Sequence, residues 1–218
     1  MIGSRLARPA LDLRLLERTL FLVAIVLLGW YGLQQAATYY DQQASSRELE
    51  EIRMSVASPA RTDAAPRAAL PSGSLVGRIE VPRVGVKAII REGDDTALLR
   101  RAVGHVPETP LPGEAGNAAL AGHRDTFFRG LRDVRRGDRI VVTTPQATAH
   151  YEVRTTRVVE PTEVSVLEPT PVSTLTLVTC YPFNYLGAAP KRFIVQAELT
   201  GIDDNSRRDP GRLQGHHD

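Results

Sequence analysis

The sequence contains a single cysteine, Cys180, among 218 residues. An intramolecular disulfide is therefore excluded, and so is a multi-cysteine metal site. Lysine is nearly absent too: only Lys87 and Lys191 break an otherwise arginine-based set of cations. That scarcity argues against a subunit polymerised through its own lysines. No Lys/Arg run exceeds two residues, the formal net charge is only +2, and no internal repeat is evident. Nothing here supplies the basic stripe that nucleic-acid binding needs, so the pairs Arg100-Arg101, Arg135-Arg136 and Arg207-Arg208 read as solvated surface.

One long apolar run is present. Residues 20–33 read LFLVAIVLLGWYGL without a charge, and the uncharged stretch extends from 19 to 40. A helical span needs about 20 apolar residues, and Trp30, Tyr31, Tyr39 and Tyr40 suit the interfacial belt. Arg5, Arg8, Arg14 and Arg18 precede the run, against Asp12 and Glu17. This balance predicts a cytoplasmic N-terminus and a domain exported across the plasma membrane on a single span. A cleaved signal peptide would need a small-residue site after the run, and none is clear. The expected organisation is a cytoplasmic segment 1–18, an anchor 19–40, a stalk and linker 41–72, a folded domain 73–201 and a disordered tail 202–218. Pro59, Pro66 and Pro71 give the linker its character.

Export changes the meaning of the lone cysteine. An unpaired thiol outside the cytoplasm is an oxidation liability, which favours a reactive role over a buried apolar one. Within 73–201 the pattern predicts short strands at 75–79, 84–90, 118–122, 139–143, 149–159, 175–179 and 193–199. Short helices are expected at 95–101 and 126–134. Many short strands at close spacing predict an all-β sandwich or barrel.

His123, Cys180 and Arg192 each fall where a predicted strand meets a loop, a usual location for sites. Successive strand residues face opposite sides. If Leu120, Leu175, Leu177, Phe193 and Val195 face the core, all three polar residues project away from it. The residue types suit acyl transfer. A cation beside the thiol eases its ionisation, histidine can protonate a leaving amine near neutral pH, and a fixed arginine can stabilise a developing oxyanion.

The local motifs are more specific. Thr176-Leu177-Val178-Thr179-Cys180 matches the TLxTC signature of sortases. Ala121-Gly122-His123-Arg124-Asp125-Thr126-Phe127-Phe128 resembles that family's histidine segment, and Lys191-Arg192-Phe193 its arginine-bearing strand. The order His, Cys, Arg at offsets of 57 and 12 positions is similar, whereas papain-like proteases place Cys before His. The resemblance spans roughly residues 75–199 and points to class D, with class E near it.

The resemblance implies an eight-stranded closed β-barrel with short helices behind an N-terminal transmembrane helix. It implies a membrane-anchored cysteine transpeptidase that cleaves an LPxTG-like sorting signal through a Cys180 thioester. His123 would act as acid, and Arg192 would hold substrate and oxyanion. Thr179, beside the thiol, reads as a contributor to the substrate groove or as an ordinary β-branched strand residue. The partners would be secreted proteins bearing a C-terminal sorting signal and an amine acceptor, either a cell-wall precursor or a protein lysine. No cofactor or metal is required. A hydrolytic cysteine peptidase of the same fold and a non-catalytic, anchored peptide-binding barrel are the alternatives. Among other polar residues, His105 reads as structural or surface, His150 as an exposed strand residue, and Asp125 as a turn or cap. Glu92, Asp94, Asp95 and Glu114 read as loop surface, and His216-His217 as solvated tail.

Overall fold

The computed structural model of the protein describes residues 13–56, 70–185 and 187–204. The expectations for residues 1–12, for most of the proline-rich linker (57–69) and for the tail beyond 204 lie outside the described residues. The chain divides into two compact units between Asp41 and Gln42. The first contains the N-terminal part of helix α1 (Leu13–Val56). Every large apolar side chain between residues 15 and 40 is exposed. By length and composition this helix can cross a membrane, a setting in which such a surface costs nothing to expose.

The second unit is a closed barrel. Its elements are β1 (Leu75–Val81), β2 (Val86–Glu92), helix α2 (Thr96–Leu99), β3 (Val103–His105), β4 (Asn117–Ala121), β5 (Arg139–Thr143), β6 (Ala147–Val159), β7 (Thr174–Tyr181) and β8 (Lys191–Asp204). The strands close in the order β1-β2-β3-β4-β7-β8-β6-β5. The β2–β3 and β4–β7 pairs are parallel and the others antiparallel. Alternation explains the closure. Ile79 and Val81, Ile140 and Val142, Tyr151 and Val153, Leu175 and Leu177, and Val195 and Ala197 recur at period two and meet in one core.

The eight-stranded all-β barrel agrees with expectation, and seven strands fall where the pattern put them. The eighth, β3, is only three residues long and carries no run of apolar alternation. Asp95 caps α2 by accepting from Ala97 N and Leu98 N. The helix expected at 126–134 is only a 3₁₀ segment, Arg129–Asp133. Gly130 at its second position disfavours a longer helix.

Several polar residues pin the connections. His105 is 2% exposed, which settles it as structural. Its Nδ1 lies 2.7 Å from Glu92 Oε2, and its Nε2 lies 3.0 Å from Pro110 O. Glu92 is therefore a buried partner and not loop surface. Glu114 accepts from Leu111 N at 2.9 Å, and His150, half-buried, bonds Asp203 at 2.9 Å. Arg83 binds Asp138, whose carboxyl also accepts from Arg135 N at 2.7 Å. The Arg83 hydrogen bond holds the Asp138 carboxyl below the usual range against the opposing effect of burial. Gly77 sits where β1 passes β5 so closely that a Cβ would lie 2.2 Å from Thr143 O.

Within this unit the end of α1 lies against the outer wall. Gln42, Ser45, Leu49 and Arg53 recur at spacings of three and four and share one face. Leu49 is fully buried. The Gln42 side chain donates to Arg101 O at 2.7 Å and accepts from Ile89 N at 2.8 Å. It thereby satisfies backbone groups that lie just before the short β3 begins to pair. Arg91 donates to Ser45 Oγ at 2.7 Å.

Candidate active site

Strand β7 places Leu175 and Leu177 in the core. Thr176, Val178 and Cys180 have the opposite parity and face outward. Cys180 is a free thiol, partly exposed, near the end of the strand. Its neighbour on one side is β8, antiparallel, in a register that sets Cys180 directly opposite Arg192. Residues directly opposite on an antiparallel pair have Cβ atoms about 5 Å apart on the same face. On the other side is β4, parallel, with Ala121 paired to Val178. The strand ends at Ala121, and His123 follows two residues beyond it on the Cys180 side of that pairing.

The histidine segment is held from two sides. Gly122 N donates to Val178 O at 3.1 Å, and Thr179 Oγ1 donates to Gly122 O at 2.7 Å. Thr179 is 2% exposed and has the inward parity of Leu177. It therefore supports the groove from within, and its buried hydroxyl is not offered to a ligand. Gly122 is required by packing: a Cβ there would lie 2.7 Å from the ring of Phe128, which is itself fully buried. Phe128 N donates to His123 O at 3.1 Å and closes the turn. Asp125 is exposed at this turn.

Arg192 Nη1 donates to Ala189 O at 3.3 Å and to Lys191 O at 3.1 Å. Its guanidinium thus rests against the β7–β8 connection while its other nitrogens stay available. On the inward face behind Cys180 and Arg192, Tyr181, Phe183 and Phe193 form a packed aromatic group. Phe183 and Phe193 lie edge to face with centroids 5.4 Å apart, and Tyr181 stacks on Phe193 at 6.3 Å. This group stiffens the ends of both strands at the thiol.

Two further residues hold the connections around these strands through partners far away in the chain. Asn117 is buried; its side chain donates to Val166 O at 2.9 Å and Glu168 O at 3.1 Å and accepts from Thr176 Oγ1 at 2.7 Å. It ties the β6–β7 connection to the outer face of β4 and β7. Arg124 donates to Tyr185 O and Gly187 O across 61 and 63 residues of chain. Neither long-range partner is visible in local pattern. Among the described residues, no three His, Cys, Asp or Glu side chains gather as a metal site.

A sortase-domain family model matches residues 79–200. The chain is 31% identical over 189 residues to sortase D of Bacillus subtilis (strain 168), covering 81% of this chain and 94% of that protein. A sortase D5 transpeptidase of Clostridium perfringens superposes with a TM-score of 0.62 at 27% identity, over 74% of this chain and 99% of that one. Sortase E of Streptomyces avermitilis superposes with a TM-score of 0.55 at 29% identity, over 65% of this chain and 98% of that one.

Proposed function

Because the chain belongs to the sortase family of cysteine transpeptidases, we propose that it is a membrane-anchored enzyme that cleaves an LPxTG-like signal through a Cys180 thioester. The register of Cys180 opposite Arg192, with His123 at the end of the strand on the other side, is the observation that carries this reading. Cys180 Sγ, its proton passed to His123, attacks the carbonyl carbon of the signal's threonine. Arg192 donates to the oxygen as charge builds on it, a contribution worth several kcal/mol when the donor is already in place. The threonine–glycine C–N bond breaks, and His123 supplies the proton that leaves with the glycine amine. An incoming amine then attacks the thioester carbonyl, loses its proton to His123, and releases the Cys180 sulfur.

The exposed apolar surface of α1 supports anchoring by that helix. The arginines before it support a cytoplasmic N-terminus with the catalytic domain outside the plasma membrane. Secreted proteins with a C-terminal sorting signal are the acyl donors in this reading. A cell-wall precursor or protein lysine is the acceptor. The test is to incubate the full chain in detergent micelles with LPxTG-type peptides, with and without an amine such as triglycine, and to analyse products by mass spectrometry. Amine-dependent ligation is expected. Cleavage that ignores the amine would replace transfer with hydrolysis, and full turnover by Cys180→Ala would overturn the mechanism.

A further inference from the structure

The β7–β8 connection, described at residues 182–185 and 187–190, joins the strand of Cys180 to the strand of Arg192. Most of it is exposed, and Tyr185 is 47% exposed, so packing alone gives it little rigidity. Two arginines hold its carbonyls. Arg124 Nη2 donates to Tyr185 O at 2.6 Å and to Gly187 O at 3.0 Å. Arg192 Nη1 donates to Ala189 O, two residues beyond Gly187. Arg124 Nη1 is buried and has no hydrogen-bond partner among the described residues. A surface arginine with no task would turn that nitrogen to water, since burying an unpaired donor is unfavourable.

We propose that Arg124 is a positioning residue that clamps the β7–β8 connection and thereby sets where Arg192 presents its guanidinium. The link runs from Arg124 through Tyr185 and Gly187 to Ala189, and from Ala189 to Arg192. It also couples the two flanks of the thiol, because Arg124 follows His123 directly in the chain. Charge-assisted bonds to two carbonyls are among the stronger hydrogen bonds available. Both bonds come from one nitrogen, Nη2, so a lysine ammonium, which also carries several donors, can replace part of the contact. The inference rests on the assignment of Arg192 as the substrate and oxyanion donor.

The test uses the full chain in detergent micelles, with Arg124→Met and Arg124→Lys. Four quantities are measured: hydrogen exchange over residues 183–190 without substrate, kcat and KM on an LPxTG-type peptide, the rate of Cys180 alkylation by iodoacetamide, and the melting temperature. In Arg124→Met, exchange over the connection should rise by roughly tenfold or more as the clamp is lost. The value of kcat should fall on the order of tenfold through misplacement of Arg192. Alkylation should stay within about twofold of wild type, because a small reagent needs no oxyanion donor. Arg124→Lys should recover part of both losses. Exchange unchanged in Arg124→Met would overturn the clamp. Raised exchange with kcat unchanged would overturn its effect on Arg192. A large drop in melting temperature in both variants would assign a merely structural role and also overturn it. If wild type turned over no peptide, the proposed function would fail, while the exchange measurement would still decide the clamp.

Discussion

Gly122→Ala places one methyl group where the structure has no room for it. The new Cβ would lie 2.7 Å from one carbon of the Phe128 ring and 3.0 Å from two more. Carbon atoms rest at about 3.5–4.0 Å, so the ring or the strand end must move by roughly 1 Å. Phe128 is fully buried and packs in the main core, so it has nowhere to retreat without displacing neighbours. Overpacking of this kind costs about 1–3 kcal/mol. The backbone is the alternative route of relief. Gly122 is bonded to Val178 and Thr179 on either side of its peptide, and any shift passes to His123. A misplacement of about 1 Å at a catalytic group can lower the rate on the order of a hundredfold. Thermal melting and peptide kinetics of the full chain separate the two routes. The expected result is a melting temperature several degrees lower, a lower kcat/KM, or both, with partial recovery in Gly122→Ala/Phe128→Leu. Wild-type melting and wild-type kinetics together would refute the reasoning.

Other consequences follow from single contacts. Thr179→Val keeps shape but leaves Gly122 O without its donor. It should cost about 1–3 kcal/mol in urea unfolding and lower kcat/KM, and an unchanged variant would remove Thr179 from the support of the histidine segment. Burial pushes the Tyr151 hydroxyl up to about 12, although the Gly113 N–H that it accepts pulls the other way. Between the ordinary phenol value of about 10 and that level, only unfolded chains lose the proton. Stability should therefore fall by about 2–3 kcal/mol as pH rises through this window, and Tyr151→Phe should lack that part of the slope. Leu49→Ala preserves helicity and removes a fully buried side chain. A loss of about 2–5 kcal/mol is expected in urea unfolding of the full chain, and no loss would show that the end of α1 does not stabilise the barrel.

The parts of this molecule that were legible in the sequence are those governed by local periodicity. Leu175, Leu177 and Cys180 carry their facing in the alternation of one strand, and so do Phe193 and Arg192. Alternation carries this information because each of these strands has one face in a single core. The strand β3 was not legible, because three residues held between a parallel and an antiparallel neighbour need no pattern of their own. The docked end of α1 was hidden for a related reason. Three of the four residues on its buried face, Gln42, Ser45 and Arg53, are polar and serve backbone or side-chain partners 46 to 95 positions away. Arg124 and Asn117 escaped notice likewise, since their partners lie 49 to 63 residues distant. Glu92 and His105 read as unremarkable polar residues because nothing local announces that they are buried against each other.

The central claim is that the lone thiol forms the acyl intermediate. Rapid quenching of the full chain with an LPxTG-type peptide, followed by digestion and mass spectrometry, tests it most directly. The expected result is an adduct on Cys180 with the mass of the peptide up to its threonine, labile to hydroxylamine and discharged by an added amine. Release of the glycine-side fragment with no adduct on Cys180, or the same release from Cys180→Ala, would contradict it.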